Sequence, residues 1–157
     1  MRKIDRLLAE YGESHQQPTN KLIHWICVPI IFWSILGFIS LIPVPSVALG
    51  FLGKLSYLDV GAIVFVTIFY ARLSPMIAVL MFLLMLLMEY WVGLTNAAWG
   101  TSAWMVYLAV FVIAWIFQFI GHKIEGKKPS FFKDIQFLLI GPSWLLSFVL
   151  RRFGIQY

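Results

Sequence analysis

Cysteine is almost missing from this chain. Cys27 is the only one among 157 residues, so no intramolecular disulfide can form and no cysteine-based zinc site can be built. Charge is scarce too: Asp, Glu, Lys and Arg make up 12% of residues, about half the share in a soluble domain. That excludes a disordered chain, a coiled coil and a typical nucleic-acid binder. Between Met1 and Asn20 there is no apolar run ahead of a small-residue cleavage site, so no cleaved signal peptide is expected. Internal repeats and low-complexity tracts are absent as well.

What fills the chain instead is apolar. Hydrophobic residues make up 61% and aromatics 17%, and the mean hydropathy is +0.87. One domain of this length with so few charges reads as a polytopic membrane protein. Twelve Lys and Arg against seven Asp and Glu leave +5. The basic residues stand in short clusters beside long apolar runs, which is the pattern of membrane topology.

The expected fold is all-α and integral to the membrane, with four spans. Between Lys21 and Lys54 lie 32 residues without a formal charge; a span needs about 20, which places the first at 22–41, closed by Pro43 and Pro45. The second is expected at 58–72, with Asp59 and Arg72 snorkelling from its ends. Ser74-Pro75 makes a tight turn into a third span at 76–92, a polar loop covers 93–101, and the fourth span is 102–121. Residues 135–150, interrupted by Gly141-Pro142, fit a re-entrant or interfacial hairpin or a short fifth helix. Residues 2–14 place Ile4, Leu7, Leu8 and Tyr11 on one helical face, and Arg2, Lys3 and Arg6 suit anionic headgroups, so an amphipathic surface helix is expected there.

Basic residues then set sidedness. Arg2, Lys3, Arg6 and Lys21 precede the first span, Arg72 follows the second, and Lys123, Lys127, Lys128 and Lys133 follow the fourth. This alternation puts the N-terminus on the cytoplasmic side. Arg151 and Arg152, if also cytoplasmic, return the fifth stretch to the side it left. The compact length leans towards a bacterial inner membrane.

This topology gathers the only three histidines at one face. His15 lies before the first span, His24 in its first turn, and His122 in the last turn of the fourth. Tyr11, Asn20, Lys21, Gln118, Lys123 and Glu125 belong to the same face. Three neutral imidazoles there suit a first-row transition metal; zinc, iron and copper all accept them. Glu125, at i+3 from His122, is placed for a fourth ligand or for a carboxylate holding a histidine ring. Pro18 breaks the surface helix, Asn20 is the expected cap of the next one, and the break lets His15 fold back towards His24. Glu89, beside Tyr90 and Trp91, reads as an interfacial anchor. The alternatives are a b-type haem protein using His24 and His122, a transporter, whose mark would be an ionisable residue in mid-bilayer, and a non-catalytic lipid-binding protein.

The run Tyr11-Gly12-Glu13-Ser14-His15-Gln16-Gln17-Pro18-Thr19-Asn20-Lys21-Leu22-Ile23-His24, then Cys27-Val28-Pro29, resembles the opening signature of the small membrane dioxygenases of 2-hydroxy fatty acids. A second signature, Trp115-Ile116-Phe117-Gln118-Phe119-Ile120-Gly121-His122, then Glu125 and Pro129, matches the same family, and the resemblance spans nearly the whole chain. It implies an Fe(II)- and O2-dependent α-oxidation that shortens a 2-hydroxy fatty acid by one carbon. By position, His15, His24 and His122 would bind the iron. Tyr11 and Glu125 are then the candidates for catalytic groups, and Asn20, Lys21, Gln118 and Lys123 for substrate binding. The implied partners are a 2-hydroxy fatty acid, O2 and membrane lipid. Gln16 stands where some eukaryotic relatives carry a second histidine, and the segment from His122 to Pro129 is slightly shorter than theirs.

Overall fold

The computed structural model describes residues 2–126 and 131–157, with the side chains of Phe51 and residues 131–136 excepted. Lys127, Lys128, Pro129 and the Lys133 side chain, used in the sequence patterns above, lie outside the described residues. The chain is mostly helical: α1 is Lys3–Glu13, α2 Pro18–Ser40, α3 Tyr57–Ala71, α4 Pro75–Trp99, α5 Ala103–Glu125 and α6 Phe131–Arg152. Short strands β1 (Ser46–Ala48) and β2 (Lys54–Ser56) pair antiparallel, with Val47 opposite Leu55.

That hairpin corrects the all-helical expectation. After Pro43 and Pro45 the chain cannot continue α2. Gly50 and Gly53 take φ of 52° and 73° at the bend, and Leu52 and Leu55 are buried. Two helical stretches, Pro18–Ser40 and Pro75–Glu125, are long and apolar enough to cross a membrane. The second contains α4 and α5, divided at Gly100, whose φ of 52° stops α4. At 15 residues, α3 is shorter than these.

Four other expectations change. The residues read as a polar loop at 93–101 largely continue α4, because their polar groups find partners. Thr95 donates to the Trp91 carbonyl (2.9 Å), the Asn96 amide donates to Ser40 Oγ (3.0 Å), and Tyr107 donates to Asn96 Oδ1 (2.8 Å). The apolar face of α1 does not lie on lipid: Ile4, Leu7, Leu8 and Tyr11 are all buried, and the helix packs against α6. The C-terminal stretch is no hairpin, since α6 is one helix through Gly141-Pro142. An interior proline costs about 3 kcal/mol, and the burial of Ile140, Trp144, Leu145 and Leu150 outweighs it. Gly141 also admits Val28 and the Tyr11 hydroxyl so closely that a Cβ there would lie 3.1 Å from each.

The fourth correction concerns two acids. Asp59 does not snorkel: it is 1% exposed and forms a capping box with Ser56, accepting its N–H at 2.9 Å and donating its own N–H to the Ser56 hydroxyl at 3.1 Å. Glu89 is no interfacial anchor either. It is fully buried within the bundle.

Helices α2 and α5 pack along each other, as do α3 and α4. Gly37 lets the first pair approach: a Cβ there would stand 2.3 Å from the Tyr107 ring. Overpacking of this kind costs about 1–3 kcal/mol. Gly37→Ala is therefore expected to lower the thermal unfolding midpoint in detergent by at least about 2–4 °C. A midpoint equal to wild type would mean that the ring moves aside freely.

Candidate metal centre

The pairing of α2 with α5 brings the start of one helix beside the end of the other. His24 sits in the second turn of α2 and His122 in the last turn of α5. His15 joins them from the turn after α1, where its backbone N–H donates to the Gly12 carbonyl at 3.0 Å. Pro18 then starts α2 directly, with Gln17 rather than Asn20 as the N-cap. Asn20, inside the first turn, is instead a tie: its amide donates to the Ser14 carbonyl at 3.1 Å.

The three rings form one cluster. Centroids of His15 and His24 are 4.1 Å apart, His15 and His122 5.2 Å, and His24 and His122 5.0 Å. One ring nitrogen from each lies within 4.8 Å of the others. His15 and His24 are 2% and 1% exposed. The Nδ1 of each faces the backbone carbonyl four residues earlier, Tyr11 at 2.6 Å and Asn20 at 2.9 Å. Such a carbonyl takes the proton on Nδ1, which leaves the lone pair on Nε2.

These residues fit a metal ion. Carbonyls holding Nδ1–H are the usual outer partners of metal-bound imidazoles, since they fix tautomer and ring orientation. With metal–nitrogen distances of about 2.1 Å, two ligands stand at most about 4.2 Å apart, so the set closes by tenths of an ångström. A haem does not fit: His15, close to both other rings, takes the space a macrocycle would need.

The remaining expected residues divide into those brought to the cluster and those left at its rim. The Tyr11 ring stacks on His15 at 4.2 Å and 9°. Gln118, buried one turn before His122, lies within side-chain hydrogen-bonding reach of His24. Lys21 is half-buried and Lys123 exposed, on the same end of the bundle as the histidines. Glu125 is not among the residues that could share a metal with them. Its carboxylate accepts from the backbone N–H groups of Gln16 (2.8 Å) and Gln17 (2.9 Å) and from the Asn20 amide (3.0 Å).

Sequence reasoning missed one wall of the site. Trp144 of α6 lies 5.4 Å from the His15 ring and 5.2 Å from Tyr11, and Phe137 packs edge-on to Tyr11 at 5.3 Å. In an apolar stretch interrupted by Gly-Pro, a tryptophan carries no mark distinguishing it from a membrane-belt residue. It is recognisable only once α6 is docked on α1.

Comparison with known proteins identifies the family. A family model described as 2-hydroxy-palmitic acid dioxygenase Mpo1-like matches residues 1–153. The chain belongs to the Mpo1-like family. A relative, the 2-hydroxy-palmitic acid dioxygenase MPO1 of Saccharomyces cerevisiae, is 30% identical over 158 aligned positions, covering 94% of this chain and 79% of that protein. No solved structure matches. All three histidines fall within the stretch matched by the Mpo1-like model, as do Tyr11, Gln118 and Trp144.

Proposed function

We propose that this chain is a membrane-bound, Fe(II)- and O2-dependent dioxygenase that converts a 2-hydroxy fatty acid into the fatty acid one carbon shorter. The observation that carries the reading is the cluster of three histidines, with His15 and His24 buried and tied to backbone carbonyls, in a chain of the Mpo1-like family. His15, His24 and His122 would hold the metal. Bound iron supplies the one-electron chemistry that lets O2 react with a closed-shell substrate.

The chain's own residues do the rest. Lys21 and Lys123 stand where a carboxylate head arriving from the membrane surface would meet a positive charge. Gln118, against His24, can hydrogen-bond the substrate's polar head. Tyr11, Trp144 and Phe137 keep water off one side of the histidines, and Tyr11 fixes the plane of His15. Asn20 is occupied with Ser14 and Glu125, which makes it part of the frame rather than a substrate contact.

Near the histidines Leu22, Ile26, Phe119 and Ile120 are exposed apolar side chains. An acyl chain laid beside them in lipid gains about 0.8 kcal/mol for each buried CH2. The same exposed faces support crossing of the membrane by α2, α4 and α5. In this reading α3 completes a four-span bundle, the clustered basic residues favour a cytoplasmic metal site, and the compact length favours a bacterial inner membrane.

The test is turnover. Protein purified anaerobically and loaded with Fe(II) is expected to consume O2 with 2-hydroxypalmitate and release pentadecanoic acid, seen by mass spectrometry. Short, water-soluble 2-hydroxy acids should react far more slowly. No shortened acid from any chain length, with iron bound, would exclude the reading.

A further inference from the structure

Glu125 stands in the wrong place for its own helix. It is the last residue of α5, where the helix dipole disfavours a negative charge. Its partners explain the position. One oxygen takes the Gln16 N–H, and the other takes the Gln17 N–H and the Asn20 amide. Gln17 is the N-cap of α2, and α2 has no side-chain cap of its own. The carboxylate therefore caps α2 from a different helix, at the end where the dipole favours an anion.

The three histidines arrive on three separate pieces of chain: His122 on α5, His24 on α2, and His15 on the turn that joins α1 to α2. Long helix packing sets α2 against α5. His15 lies outside that pairing: its turn precedes α2, and the α1–α6 packing with Trp144 supports it from the other side. Hydrogen bonds from that turn reach α5 through Glu125, directly at Gln16 and Gln17 and by way of Asn20, which also holds the Ser14 carbonyl. Tyr11 and Trp144 hold the His15 ring from the α1 and α6 side, and Glu125 ties its turn to the helix that carries His122.

We infer that Glu125 is a positioning residue: it is the strap that holds His15 in register with His24 and His122, and without it the three-histidine centre becomes a two-histidine one. This rests on the metal reading above. It predicts a particular pattern rather than a general loss. Removing the strap should act chiefly through His15, because the Asn20 carbonyl that holds His24 belongs to the backbone of α2.

The experiment uses the full chain in detergent, with Co(II) as a spectroscopic probe and Fe(II) for affinity. Glu125→Ala is expected to weaken metal binding by about 10–100-fold and to give a Co(II) spectrum matching that of His15→Ala. The double variant should bind no more weakly than His15→Ala, because both changes remove the same ligand. Glu125→Gln, which keeps one acceptor oxygen, should fall between wild type and Glu125→Ala, and it serves if the alanine variant does not fold. Additive losses in the double variant, or a wild-type Co(II) spectrum in Glu125→Ala, would overturn the inference.

Amide hydrogen exchange in metal-free protein tests the strap apart from the metal. Gln16 and Gln17 should exchange at least about tenfold faster in Glu125→Ala, as expected for amides that lose their acceptor. Unchanged exchange there overturns the strap. If the wild type binds neither metal while exchange at Gln16 and Gln17 does respond, the dioxygenase reading and the histidine part of the inference fall together, and the strap stands as a helix cap only.

Discussion

His24→Ala protein, prepared anaerobically and reloaded with Fe(II), should hold almost no iron where the wild type holds about one per chain, and its turnover should fall to background. His24 is the inner member of the cluster, 4.1 Å from one histidine ring and 5.0 Å from the other. Loss even of an outer partner costs about 10–100-fold in metal affinity, and loss of a ligand should exceed that. The two remaining imidazoles hold an ion too weakly to retain it once free metal is removed, although excess metal still loads them. His24→Ala also opens a hole beside Asn20 and Gln118, so the comparison needs a fold control. Helical content by circular dichroism should match wild type, because α2 is fixed by its packing on α5 along its length. A variant that keeps stoichiometric iron and activity would remove the three-histidine centre from consideration.

The second large effect is expected from a glycine. Gly121 precedes His122, and a Cβ placed on it would meet Asn20 Oδ1 at 2.4 Å and Ile23 Cδ1 at 3.5 Å. Asn20 cannot retreat without releasing Ser14 and Glu125, and it carries the carbonyl that holds His24. Gly121→Ala should therefore push the start of α2 from the end of α5 where the metal would sit. A displacement of about 1 Å at a catalytic site costs on the order of 100-fold in rate, so kcat should collapse while the protein still folds. Gly61→Ala is the matched control. It also lies in a helix, nothing stands within 4 Å of its would-be Cβ, and it should be neutral or slightly stabilising. Equal activity in the two variants would show that Asn20 yields without disturbing the histidines.

Several features were legible in the sequence because they depend on neighbours a few residues apart. The i, i+3, i+4, i+7 spacing of Ile4, Leu7, Leu8 and Tyr11 correctly marked the buried face of α1, since a helix turns by a fixed angle per residue. Pro18, Ser74-Pro75 and the Pro43/Pro45 pair marked helix boundaries for the same reason. Even the gathering of three histidines followed from chain direction, because helices that run antiparallel bring the start of one to the end of the next.

What covers a helical face, and what satisfies a polar side chain, needed the tertiary structure. Periodicity showed that α1 had an apolar face but not whether lipid or α6 would cover it; both are apolar, and a moment along one helix does not distinguish them. Asn96 has the side chain of a loop residue, yet Ser40 of α2 and Tyr107 of α5 supply the partners that keep it helical. Glu125 has the spacing of a ligand for His122, but three donors from residues over a hundred positions away claim its oxygens. By itself the sequence determined most of the helices, the ends that prolines mark and the face on which the histidines meet, because covalent geometry and local hydrogen bonding act over a turn or two. Only the tertiary structure decided which side chains surround those histidines and which merely hold the frame, because hydrogen bonds and burial between helices depend on distances that chain position does not record.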